Sequence, residues 1–218
     1  MKPEVILHSF GYLTRAAGVT IAVSVAGIAI GFVIGALVCA ARLSRRPWLR
    51  RIGGAYVSVF RGVPLLVLLL FIYYFLAEFG LDVPAIVAAV GGLALSSAAY
   101  QAEILRGALN AVQPGQAEAA AALGFTGVDI WRRVLMPQAL RISVPPLINE
   151  FILLLKASSL VSVVGIAELT RVSMNIASMT YRPFEAYLGG GLFYLAINLA
   201  LAGFGALAER RLSPGEDR

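Results

Sequence analysis

Histidine, cysteine and lysine are almost missing from this sequence. It has one histidine, His8, one cysteine, Cys39, and two lysines, Lys2 and Lys156. One histidine excludes a metal site built from histidines. One cysteine, in the middle of an apolar run, excludes a disulfide within the chain and implies no thiol chemistry. Neither lysine stands in a Gly-x-x-x-x-Gly-Lys pattern, so a phosphate-binding loop of that kind is absent too. If the chain takes part in an ATP-driven process, another subunit must hold the nucleotide. A membrane enzyme is disfavoured on the same grounds. Charge is also scarce, with 14% of residues charged against about 25% in soluble domains.

What is present is apolar. Hydrophobic residues make up 59% of the 218, and the mean hydropathy is +0.83. That composition belongs to a membrane protein. The net charge of +6 does not point to nucleic acid. Sixteen of the eighteen basic residues are arginines, and they cluster beside apolar runs, as orientation in a membrane requires.

Along the chain, residues 1–15 suggest a short interfacial helix on the outer face. Residues 16–41 form the first span, 26 residues without a charge, too long for the ~7–15 residues of a signal-peptide core. Within it, Gly27, Gly31 and Gly35 repeat every fourth residue, a pattern that lets helices approach closely. Residues 42–51 hold five arginines and no acid, the mark of a cytoplasmic loop. A second span holds Arg61 early and is uncharged over 62–77, a third runs from about Val83 to Leu105, a fourth starts near Ile142, and a fifth covers 186–208. Pro145 and Pro146 fall in the first turns of the fourth. Residues 160–185 are expected to be a re-entrant or outer helix plus loop. Twelve basic residues then lie inside and four outside, Lys2, Arg15, Arg171 and Arg182. The topology is five spans in one domain, 1–218, with the N-terminus outside and the C-terminus in the cytoplasm.

The stretch from Glu118 to Pro137 differs from its surroundings. Glu118 to Leu123 is rich in helix formers. Gly124 can end that helix in the left-handed conformation. Thr126 and Asp129 fit a capping box for the next helix, and Pro137 is expected to stop or kink it. The result is a helix–glycine–helix elbow in a cytoplasmic loop of about 112–140, with a buried turn that resists a charged side chain at Gly124.

This segment resembles the EAA loop of permease subunits from binding-protein-dependent ABC importers. The resemblance rests on Glu118-Ala119-Ala120, then Gly124, then Val134, Met136 and Pro137 at the family spacing. Val134 and Met136 stand where the pattern has Ile and Leu. Further segments are similar to the polar amino acid uptake branch: Arg61-Gly62-Val63-Pro64-Leu65-Leu66, Ala99-Tyr100-Gln101-Ala102-Glu103, and Lys156-Ala157-Ser158-Ser159-Leu160. Together the likeness runs from about residue 10 to 210. It implies an all-α permease fold of the type I importer class, with Glu118, Ala119, Ala120, Gly124 and Pro137 coupling it to ATPase subunits. It also implies a second permease, identical or related, a periplasmic or lipid-anchored solute-binding protein, and an amino acid as substrate. ATP and Mg belong to the ATPase, with no cofactor on this chain. The location implied is the bacterial inner membrane. The sequence departs from many members at Val63 (Thr), Leu68 (Gln) and Ala157-Ser158 (Asp-Thr), so its substrate contacts can differ or be left to a partner.

Polar residues inside spans are costly, roughly 2.5–3.5 kcal/mol for a charge. Arg61, Glu103, Glu150 and Lys156 are therefore candidates for a substrate pathway, for structural pairing, or for snorkelling to an interface. Asn149 has both donor and acceptor for an amino acid or for a neighbouring helix. The break expected at Ser158, Ser159 and Leu160 offers free backbone N–H groups to a carboxylate, or is simply a helix end. Two rivals remain open. One is an ABC permease for an opine or a cystine-like compound. The other is an ion-driven carrier using Glu103 and Glu150 as proton carriers.

Overall fold

The computed structural model describes residues 4–212. Lys2 and the charged tail at 213–218 lie outside them. The described residues are helical throughout and contain no strand. We number the helices α1 (Glu4–Leu43), α2 (Pro47–Gly62), α3 (Leu65–Glu78), α4 (Ala85–Ala111), α5 (Pro114–Ala122), α6 (Gly127–Val164), α7 (Leu169–Thr180) and α8 (Pro183–Leu212).

Helices α1, α4, α6 and α8 are each long and apolar enough to cross a membrane, and the bent pair α2–α3 makes a fifth span. Residues 4–15 do not form a separate interfacial helix. No proline interrupts 4–43, so α1 runs for 40 residues, about 60 Å. That is twice the ~30 Å hydrocarbon core. The second span differs as well. Helix α3 alone is only about 21 Å long, and α2 meets it at 104°. The bend sits at Val63 and Pro64, both extended. Pro64 lacks an N–H and drives the residue before it out of the helical region, which breaks the helix there.

The glycine repeat of α1 finds its partner in α4. A Cβ on Gly31 would lie 3.1 Å from the carbonyl oxygen of Ala94, and one on Gly35 would lie 2.8 Å from that of Ala98. The facing residues Ala94, Ala98 and Ala102 are themselves small and fully buried. Backbone therefore meets backbone, the contact that substitutes for hydrophobic driving force within lipid. Replacing Gly35 by leucine should force these helices apart. Overpacking of this kind costs about 1–3 kcal/mol, or roughly 2–12 °C in melting temperature. A thermal-shift assay in detergent reads this directly, and an unchanged melting point would disprove the close approach.

Toward the other end of α1 the core is a cluster of Val23, Leu69, Leu93, Leu154 and Val161, drawn from four helices. Helix α7 packs on α8 and α1. Its N-cap is Glu168, which is fully buried. The carboxylate accepts hydrogen bonds from the amides of Thr170 (2.8 Å) and Arg171 (2.7 Å) and from the Tyr194 hydroxyl (2.7 Å). Glutamate is an unusual N-cap, and from sequence Glu168 reads only as a charge in an outer loop.

Candidate coupling elbow and polar cavity

The elbow forms by the local chemistry its residues dictate. Pro114 opens α5 in the first turn, where a missing N–H costs nothing. Gly124 closes it at φ +83°. The Gly124 amide donates to the Ala121 carbonyl and the Phe125 amide to that of Ala120, a Schellman closure. Thr126 then caps α6, accepting from the Asp129 amide at 3.3 Å while its hydroxyl donates to Asp129 Oδ2 at 2.7 Å. The turn is not buried. Gly124 is exposed and open space surrounds the position of its missing Cβ. Its constraint is conformational rather than steric.

Pro137 does not stop the second elbow helix. That helix widens into a π-turn over Ile130–Leu135 and continues as α-helix from Met136 to Ala157. The Met136 amide reaches back five residues to the Trp131 carbonyl. A wider turn is one way to absorb a residue that has no N–H to give. The elbow is thus joined without interruption to a membrane-crossing helix. Pro145 and Pro146 also lie inside this helix rather than at its start.

Only Ala120 of the elbow motif is buried; Glu118, Ala119 and Pro137 are exposed. Leu123 and Val128 are 80% and 76% exposed. The elbow therefore presents apolar side chains that this chain does not cover. Trp131 and Met136 share a cavity wall with Leu43 and Leu109. This places the elbow, the last turns of α1 and α4, and the arginines of 42–51 at one end of the bundle.

A second feature lies about halfway along α4. A cavity of about 500 Å³ sits under the α2–α3 bend, between α4 and α6. Its walls include Arg61, Ser96, Tyr100, Glu150 and Ala157. The Arg61 guanidinium lies 5.1 Å from the centre of the Tyr100 ring, within cation–π reach. Glu150 is buried and accepts a hydrogen bond from Ser97 Oγ at 2.8 Å. Ser97 in turn accepts from Gln101 Nε2 at 3.0 Å, which also donates to the Ile28 carbonyl of α1 at 3.1 Å. Among the described residues neither Arg61 nor Glu150 forms an ion pair. One cavity thus holds a basic and an acidic side chain with no salt bridge between them.

The remaining sequence candidates lie elsewhere. Glu103 is a structural tie, bridging Arg42 of α1 at 2.6 Å and Arg106 at 2.7 Å. Asn149 and Lys156 are exposed and do not line the cavity. The helix does not break at 158–160; it tightens into a 3-10 helix over Ser158–Val164. The Ser158 amide is bonded to the Leu154 carbonyl, and its buried hydroxyl donates to that of Leu155. No free helix N-terminus is offered there, and Ser159 and Leu160 are only half-buried beside the core. Sequence reasoning singled out Arg61, Glu150 and the segment Ala99 to Glu103. It did not assign Tyr100 to Arg61 or Ser97 to Glu150, because both pairings join residues distant in the chain.

Residues 27–214 match the family described as binding-protein-dependent transport system inner membrane component. The chain is 40% identical over 214 residues to the octopine transport system permease protein OccM of Rhizobium meliloti, covering 93% of this chain and 87% of that one. It is 38% identical over 202 residues to the glutamine transport system permease protein GlnP of Escherichia coli, covering 92% of each. Among solved structures, an amino acid ABC transporter crystallised with histidines superposes with a TM-score of 0.93 at 38% identity, covering 97% of this chain and 99% of that one. The MetNI methionine ABC transporter superposes with a TM-score of 0.79 at 25% identity, covering 94% and 98%. An elbow joined to a spanning helix, a bundle of this shape and a family match over most of the chain lead to one conclusion: the chain belongs to the binding-protein-dependent transport system inner membrane components, the permease subunits of ABC importers.

Proposed function

We propose that this inner-membrane permease moves a zwitterionic amino acid through the cavity beneath the α2–α3 bend. The observation that carries this reading is that Arg61 and Glu150 line one cavity without a salt bridge between them. Arg61 suits a carboxylate and Glu150 an ammonium group. Val63, Leu65, Leu153 and Leu154 line the rest with apolar surface for a side chain. Relatives and solved neighbours named for amino acid, glutamine and methionine transport support the substrate class.

In this reading the permease works with ABC ATPase subunits that hold ATP and Mg, a second permease, and an external solute-binding protein. Glu118, Ala119 and Gly124 with the exposed Leu123 and Val128 form the ATPase-docking surface, Ala120 supports it from the buried side, and Pro137 marks where the elbow passes into the spanning part of α6. The clustering of arginines at the elbow end of the bundle favours that end as cytoplasmic, with the N-terminus outside.

Transport into proteoliposomes, with the neighbouring ATPase and binding protein present, tests this. ATP-dependent uptake of a labelled amino acid is expected from a panel that includes octopine and cystine. Uptake of octopine or cystine alone would move the substrate to that class. Uptake that survives without ATP and collapses with an uncoupler would replace the ABC reading with an ion-driven carrier.

A further inference from the structure

A second cavity, of about 340 Å³, lies at the elbow end of the bundle, and the function proposed above gives it no task. Ala36, Ala40 and Leu43 of α1, Leu109 of α4, and Trp131 and Met136 of α6 are among its walls. No charged or amide side chain lines it. A dry apolar space of this size suits a hydrocarbon ligand better than water.

Its rim is different. Arg45 and Arg46 lie two and three residues after the wall residue Leu43, and Arg132 directly follows Trp131. All three are exposed. Some nearby arginines are ion-paired within the chain, Arg42 and Arg106 sharing Glu103 and Arg133 meeting Asp129. Among the described residues Arg45, Arg46 and Arg132 form no ion pair. Positive-inside orientation accounts for arginines at this end. It does not account for an apolar cavity whose walls stand so near them in the chain.

We propose that this cavity holds an acyl chain of an anionic phospholipid whose headgroup is bound by Arg45, Arg46 and Arg132. Apolar walls between spanning helices match the chain, and the unpaired cations match a negative headgroup at the membrane surface. The lipid then sits directly behind the helix that carries the elbow.

Fluorescence quenching tests the site. The protein has two tryptophans, so Trp48→Phe leaves Trp131, in the cavity wall, as the sole reporter. The full chain is placed in phosphatidylcholine nanodiscs containing a low fraction of chain-brominated lipid. Brominated phosphatidylglycerol is expected to quench Trp131 several-fold more than brominated phosphatidylcholine at the same fraction. Ala40→Phe, which fills the cavity, should remove most of that quenching. Arg45→Gln with Arg46→Gln, at exposed positions that leave the packing intact, should erase the difference between the two lipids. Equal quenching by both lipids in the parent protein would overturn the headgroup assignment. Quenching unmoved by Ala40→Phe would place the lipid elsewhere. No quenching by either lipid would mean that protein, such as a second copy of the chain, covers the cavity.

Discussion

Replacing Gly124 by valine is expected to uncouple the permease from its ATPase while leaving the membrane bundle folded. Gly124 sits at φ +83° with open space around it. A side chain there meets no neighbour, so the whole penalty comes from the backbone. A non-glycine residue in a left-handed conformation costs on the order of 1–3 kcal/mol, and a β-branched residue lies at the costly end. About 2 kcal/mol shifts the turn's population by roughly thirty-fold, enough to dissolve the two-bond closure formed by Gly124 and Phe125. Leu123 and Val128, which flank the turn, would then lose their fixed relation. Substrate-stimulated ATP hydrolysis by the assembled complex should fall by an order of magnitude or more. Asparagine tolerates the left-handed region, so Gly124→Asn should retain most of the stimulation. Equal loss in both variants would show that size or charge, rather than backbone conformation, governs this position.

The second large effect is expected at Glu150. Glu150→Gln keeps the size of the side chain and an acceptor for Ser97 Oγ, so the contact between α4 and α6 survives. What disappears is the negative charge on the cavity wall. Removing one partner of a buried charged contact costs about 2 kcal/mol or more, so the concentration for half-maximal uptake of a zwitterionic amino acid should rise about thirty-fold or further. Association with the ATPase should not change, because the elbow lies at the end of the bundle, away from this cavity. Arg61→Gln should act in the same direction through the carboxylate. Unchanged uptake in Glu150→Gln would remove the cavity from the pathway. Lost ATPase association would make Glu150 a structural residue.

The buried pair Ser97–Glu150 and the exposed pair Arg61–Tyr100 also locate the limit of reading along a chain. The cost of a charge in lipid singles out Glu150, Glu103, Arg61 and Lys156 alike, yet their fates diverge. Glu103 closes a tie to Arg42, 61 residues earlier. Glu150 and Arg61 meet one cavity because Pro64 turns α2 by 104° over α4. Lys156 points away from both.

Short-range chemistry was settled by the sequence. The Gly124 closure and the Thr126 cap follow from residues within four positions of one another, where backbone sterics and local hydrogen bonds decide. The family spacing of Glu118 to Pro137 is legible too, because it is a pattern along one continuous stretch of chain. Tertiary structure alone decided three other matters. It paired the α1 glycines with Ala94 and Ala98, since a glycine repeat specifies close approach but not the partner. It joined the elbow to α6 through a π-turn, where continuous packing outweighed the helix-stopping tendency of Pro137. It also turned the expected break at 158–160 into a buried 3-10 segment, because serine hydroxyls and amides that find carbonyls four residues or fewer behind them have no need of a ligand.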